Sequence, residues 1–174
     1  MRKFALLIVL ALSVVPAAFA GNSPSASSPA QRCDAQRTAI GTSAFNQLYG
    51  ANASDQNAFG KCVAKLARTD VQNQGNAAQS CKAEQNDANF AANHGGKTFA
   101  QFYGTNKNGR NALGSCVSQK AQTAAQAQNQ ATINAARACR AEQKANPAAF
   151  KTKYGTNANK SNAFGKCVSQ KAKA

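Results

Sequence analysis

Six cysteines at a repeated spacing constrain this chain more than any other feature of its 174 residues. Three segments align: Cys33 to Cys62, Cys81 to Cys116 and Cys139 to Cys167. Each opens C-x-A and closes on AFGKCV (58–63 and 163–168) or ALGSCV (112–117). Between the cysteines lie SAFNQLYG, KTFAQFYG and PAAFKTKYG. The second cysteine follows the glycine of each YG pair by 12 residues in all three, while Phe45, Phe99 and Phe150 stand 12, 18 and 11 residues past the first. A half of fixed length beside a half of variable length is the mark of tandem copies of one small unit. The extra length of the second copy, around NFAANHGG (89–96), belongs in a surface loop. The units are bounded at 32–75, 76–127 and 128–174.

Each unit reads as helix, short helix, loop, helix. In the third, Asn146 and Pro147 suit the cap and first position of a short helix carrying Phe150 and Tyr154 on one face, which Gly155 ends. After TNANK, Ser161 or Asn162 caps the next helix. In the first unit Phe59, Cys62, Val63 and Leu66 make one apolar stripe at helical spacing, with the sulfur in it. Gly60, Gly114 and Gly165 sit inside this pattern, where close approach of a neighbouring backbone would explain them. Ser115 to Asn146 holds no Gly or Pro, so one helix is expected to run from the second unit into the third. Cys116 and Cys139 would then lie about 35 Å apart and could not pair. Six cysteines allow 15 connectivities; this argument and the repeats favour Cys33–Cys62, Cys81–Cys116 and Cys139–Cys167. Gln74-Gly75-Asn76 is expected to break the equivalent helix between units one and two, so Cys62–Cys81 is less firmly excluded.

The leader MRKFALLIVLALSVVPAAFA combines Arg2 and Lys3, an apolar run and the ending Ala18-Phe19-Ala20, the composition of a secretory signal peptide over 1–20. The run is too short to span a bilayer. Residues 21–31 read as a flexible linker, and no transmembrane segment is expected in the mature chain. Beyond the leader only 19 large apolar residues (Val, Ile, Leu, Phe, Tyr) remain, a thin core by any standard. Such a composition with high net charge favours disorder. Against that stand the 39 alanines of the full chain, the best helix formers, and six cysteines in an exported chain, where thiols oxidise. The expected fold class is all-α: three disulfide-stapled helical-hairpin repeats sharing long connecting helices. Each closed loop of roughly 30 residues would contribute about 3.5 kcal/mol.

Most catalytic chemistries have no foothold. His94 is the single imidazole, so a multi-histidine metal site cannot be built within one chain, and His94 itself reads as a solvated loop residue. There is no C-x-x-C, G-x-S-x-G, phosphate loop or H-E-x-x-H. The loops ANASDQN, TNKNGRN and TNANKSN faintly resemble calcium loops, but only Asp55 supplies a carboxylate, and turns and caps are the simpler role for their asparagines. Asp34, Asp55, Asp70, Glu84, Asp87 and Glu142 show no recurring constellation. No catalytic residue, metal ligand or cofactor is assigned, and a non-catalytic protein is expected.

Charge is the positive signal. Of a net +15, residues 137–174 carry nine cations and one acid. Arg137, Arg140, Lys144, Lys151, Lys153, Lys160, Lys166, Lys171 and Lys173 are the candidate polyanion-binding residues. Their partners would be an anionic envelope polymer, non-specific nucleic acid or anionic lipid headgroups. The plain alternative is that they keep an alanine-rich chain soluble. Aromatics are few and sit at packing positions, which argues against sequence-specific nucleic-acid recognition. The tail CVSQKAKA lacks the apolar face of a membrane-active helix.

The segment (N)AFGKCVSQKA at 162–172, with its altered copies at 111–121 and 57–67, resembles tandem cysteine segments of secreted bacterial proteins of actinobacterial type. The resemblance spans the three units, not the leader or SPSASSPA, and implies no activity. The second unit departs from the pattern at Leu113 and Ser115. The expected role is a secreted structural or binding protein associated with anionic envelope polymers. A membrane-active or toxic factor and an enzyme with an unrecognised site are the alternatives.

Overall fold

The computed structural model describes residues 27–50 and 57–173. The leader, most of the linker and the ANASDQ stretch with Asp55 lie outside the described residues. Among those described there are eight helices and no strand. They are α1 (Pro29–Ile40), α2 (Thr42–Tyr49), α3 (Ala58–Gln85), α4 (Phe90–Asn93), α5 (Phe99–Tyr103), α6 (Ala112–Ala145), α7 (Pro147–Tyr154) and α8 (Ala163–Lys171).

Local chemistry sets where several of these begin. Ser28 and Gln31 form a reciprocal capping box with Pro29 at the first turn, so α1 starts inside the stretch expected to be linker. Thr98 and Gln101 start α5 in the same way. The Asn146 side chain accepts from Ala149 N at 3.0 Å and Pro147 follows, which opens α7 where the sequence places it. Asn162 precedes α8 but makes no side-chain cap, contrary to expectation. Its Oδ1 accepts instead from Thr156 N at 3.0 Å, while Nδ2 donates to Thr156 Oγ1, pinning the preceding loop. Asn111 does the same to Thr105.

Two long helices carry the architecture. α6 is the continuous 34-residue helix anticipated from Ser115 to Asn146. α3 is also continuous, over 28 residues, and the expected break at Gln74-Gly75-Asn76 does not occur. Packing along α6 overrides the local cost of Gly75, about 1 kcal/mol. Asn73 exchanges side-chain hydrogen bonds with Gln128 at 3.1 and 3.3 Å, and Ala77 is buried one turn on. No helix among the described residues is long and apolar enough to cross a membrane.

Three disulfides join Cys33 to Cys62, Cys81 to Cys116 and Cys139 to Cys167, each with a Cα separation of 6.0 Å, and no cysteine is free. Each bond closes one repeated segment, but the buried apolar residues do not divide into three. Units one and three share a single cluster, with Phe45, Tyr49, Cys62, Ile133, Phe150 and Phe164 among its members. Unit two has a smaller one, built from Cys81, Phe90, Phe99, Tyr103, Ala112 and Cys116. The N-terminal end of α3 and the C-terminal end of α6 enter the first cluster, and their opposite ends the second, so the two helices run antiparallel between them. The stripe Phe59, Val63 and Leu66 packs against the first.

Two local expectations need correction. A Cβ on Gly60 or Gly114 would meet nothing within 4 Å, and one on Gly165 only Leu48 O at 3.9 Å, so close backbone approach does not explain these glycines. It does explain Gly155, where a Cβ would fall 2.6 Å from Lys151 O and 2.7 Å from the Lys160 side chain. The second is His94, which does lie in a turn, just past α4, but is half-buried and packed, not freely solvated. The extra residues of unit two fold into α4, which buries Phe90, and His94 stacks on that ring with centroids 3.8 Å apart while its Nδ1 meets Phe90 O at 2.8 Å.

Candidate functional site

The nine cations of the last unit hang on the end of α6, on α7 and α8, and on the loop and tail beside them. The structure gives them different work. Arg140 Nη1 donates to Ile40 O at 2.8 Å, and Arg137 Nε to Ala39 O at 3.5 Å. Both cations thereby serve the carbonyl end of α1, where positive charge is favoured by the helix dipole. Lys160, at a left-handed φ of 56°, donates to Gly155 O at 3.1 Å and holds its own loop. Lys153 and Lys171 reach the two oxygens of Glu142 at 2.7 and 3.6 Å. The hydrogen bond from Lys153 is the main reason the Glu142 carboxyl lies below the ordinary carboxylate value, and the same contact raises Lys153. That leaves Lys144, Lys151, Lys166 and Lys173, all exposed and without an ion pair or side-chain hydrogen bond among the described residues.

Behind these cations lies a constellation that the sequence reading missed. Glu142 also accepts from the Tyr154 hydroxyl at 3.0 Å. In unit two, Tyr103 donates to Glu84 at 2.9 Å, and Lys120 pairs with the same carboxylate at 2.7 Å. The acid stands three residues past the first cysteine, the tyrosine precedes the loop glycine, and the lysine stands four past the second cysteine. In unit one those positions hold Gln36, Tyr49 and Leu66. Tyr49 donates to Gln36 Oε1 at 2.6 Å, and Gln36 Nε2 donates to Asn129 of α6 at 2.7 Å. Gln36 is fully buried and Leu66 packs on the first cluster. Burial under α6 accounts for the neutral version, because an amide can be satisfied there without the cost of enclosing charge. The carboxylates therefore do recur, and the signal was present in C-x-A followed by Glu or Gln. Burial pushes the hydroxyls of Tyr49 and Tyr103 up to about 12, against the Gln36 hydrogen bond in the first case and reinforced by Glu84 in the second.

A further ion pair joins α1 to α3. Arg32, buried, meets Asp70 at 2.5 Å, while Arg32 Nε and Asp70 Oδ1 have no partner among the described residues. A cavity of about 90 Å³ adjoins them, lined also by Gln74, Gln122 and Gln126.

Comparison with protein-family models, with curated proteins and with solved structures gives no match for this chain. Its functional reading rests on its own residues.

Proposed function

We propose that the protein is an exported, non-catalytic binding protein that adheres to an anionic cell-envelope polymer through the basic end formed by α7, α8 and the last turn of α6. The observation that carries this reading is the charge left over after internal pairing. Four lysines, 144, 151, 166 and 173, remain exposed beside a single carboxylate that two other lysines already share. Three disulfides and the lack of a membrane-spanning helix among the described residues are compatible with an extracellular setting. The stapled helices would hold these charges on a fixed frame, which lowers the entropy lost when a polymer binds.

The test is co-sedimentation of the oxidised protein with cell walls, DNA and anionic vesicles over a salt series. The comparison variant replaces Lys144, Lys151, Lys166 and Lys173 by Gln. Deleting 137–174 would instead remove Cys139, Phe150 and Phe164 from the first cluster and confuse adhesion with unfolding. Adhesion to walls that weakens with salt, with a log–log slope flattened by up to about three units in the variant, supports the reading. Binding indifferent to the four substitutions, or confined to DNA or to vesicles, overturns it.

A further inference from the structure

Away from the basic end, α3, α5 and α6 border a shallow, open groove of about 670 Å³. We propose that this groove binds a short stretch of uncharged oligosaccharide, with Phe102 as the platform for a sugar ring.

Phe102 is the first reason. It is 45 % exposed at the groove, the most exposed aromatic in the described residues. The ring is nonetheless fixed by T-shaped contacts to Phe90, His94 and Tyr103, at centroid distances of 5.8, 4.6 and 4.8 Å. Three rings therefore hold a fourth in place while part of its surface stays in water. The equivalent position just before the tyrosine is Leu48 in unit one, packed on the first cluster, and Lys153 in unit three, paired with Glu142. Only unit two presents an aromatic there, and α4, the insertion peculiar to unit two, brings the Phe90 and His94 that brace it.

The rest of the lining defines the ligand. Asn76, Ser80 and Gln119 line the groove with no side-chain partner among the described residues, offering amides and a hydroxyl that both donate and accept. Hydroxyl groups, also donors and acceptors, complement such a surface. Ala77, Ala124 and Ala127 keep the walls low enough for a flat ring to approach. Lys120, the one cation on the groove, is neutralised by Glu84 at 2.7 Å, so nothing there selects an anion. A peptide fits less well: the helical backbone is internally bonded and cannot take up an added strand, and alanine walls offer no deep pocket for the anchors of an amphipathic helix.

The chain contains no tryptophan, so Phe102→Trp places a single fluorescent reporter in the groove while keeping a stacking surface. Wild type, Phe102→Trp and Phe102→Ala would be titrated with cellotetraose, maltotetraose and chitotetraose, and with a proline-rich peptide as the competing class. Amide shifts in the spectrum of the wild-type protein would be followed by NMR. At least one saccharide is expected to shift amides near residues 76–80, 102 and 119–124 and to change the Trp emission. The affinity should barely respond to salt and should fall about tenfold or more in Phe102→Ala. Circular dichroism checks that this half-exposed substitution leaves the fold intact. The lysine-to-glutamine variant of the basic end should bind the sugar as wild type does, which separates this site from polymer adhesion. No groove shifts with any of the three saccharides, undiminished binding by Phe102→Ala, or shifts caused by the peptide instead would each overturn the proposal.

Discussion

A tyrosine hydroxyl that donates to a carboxylate gains an acid-side response from its acceptor that one donating to an amide lacks, and the chain contains both. At Glu84 burial acts to raise the carboxyl, but hydrogen bonds from Lys120 and Tyr103 outweigh it and hold the group below its ordinary 4.5. A depressed carboxyl contributes stability that is present above the unfolded-state value and lost as pH falls through the folded one. Glu84→Gln should therefore cost about 1–2 kcal/mol at neutral pH, and below 4.5 the gap to wild type should close. Urea unfolding at several pH values reads this directly; a gap that stays constant into acid would refute the charge-based account. Tyr49 belongs to the opposite case. Its hydroxyl is raised by burial from 10.0 to about 12, so the neutral form is favoured in the folded state. That stability is intact below 10 and is lost as pH rises from there through about 12. Tyr49→Phe removes the titration and also strands Gln36 Oε1 in the core, costing about 1–3 kcal/mol. Its alkaline unfolding curve should be shallower than that of wild type, even though its stability near neutrality is lower.

Among the elements, glycine placement separates what a sequence pattern reveals from what only packing reveals. α6 was legible because a long stretch free of Gly and Pro needs no tertiary knowledge. α7 was legible because Asn146, Pro147 and Gly155 act on their immediate neighbours. Gly75 in α3 misleads for the reverse reason: α6, more than forty residues downstream, supplies the contacts that carry the helix through it. The close-approach argument was sound in kind but applied to the wrong glycines. It holds where a loop folds back over the end of a short helix, at Gly104 and Gly155, and fails on the open faces at Gly60 and Gly114. Gly75→Ala and Gly114→Ala should accordingly each stabilise the protein by about 0.5–1 kcal/mol, raising the melting temperature. Gly155→Ala should lower it, because the added methyl meets Lys151 O. If all three move the melting temperature the same way, local helix propensity and not loop packing governs these positions.

At the scale of the whole molecule, the described residues form two unequal clusters held apart by a pair of antiparallel helices, and this arrangement could not be read from three equivalent repeats. Repeat arithmetic identifies which segments resemble one another, but which of them share a core depends on how far α3 and α6 carry them. Substitutions that look minor along the chain, Gln36 for Glu and Leu66 for Lys, mark the unit that lies beneath α6. The candidate site was legible only as composition: the excess of cations is plain in the sequence, whereas their assignment to α1, to Glu142, to a loop or to solvent is not. The imbalance between clusters has a thermodynamic consequence. The first holds seventeen buried apolar residues drawn from six helices, and the second six, of which two are the cysteines of one bond. Removing the Cys81–Cys116 bond by a double Cys→Ala substitution gives up about 3.5 kcal/mol of loop-closure stabilisation in the part with least apolar burial to replace it. Native-state hydrogen exchange should then show protection lost across α4, α5 and the adjoining ends of α3 and α6, while α1, α7 and α8 stay protected. The corresponding loss of Cys139–Cys167 should weaken protection in α1 and α2 as well, since units one and three share their core. Uniform loss of protection in both variants would mean that α3 and α6 couple the clusters into one cooperative unit, and the two-cluster description would then hold for packing but not for stability.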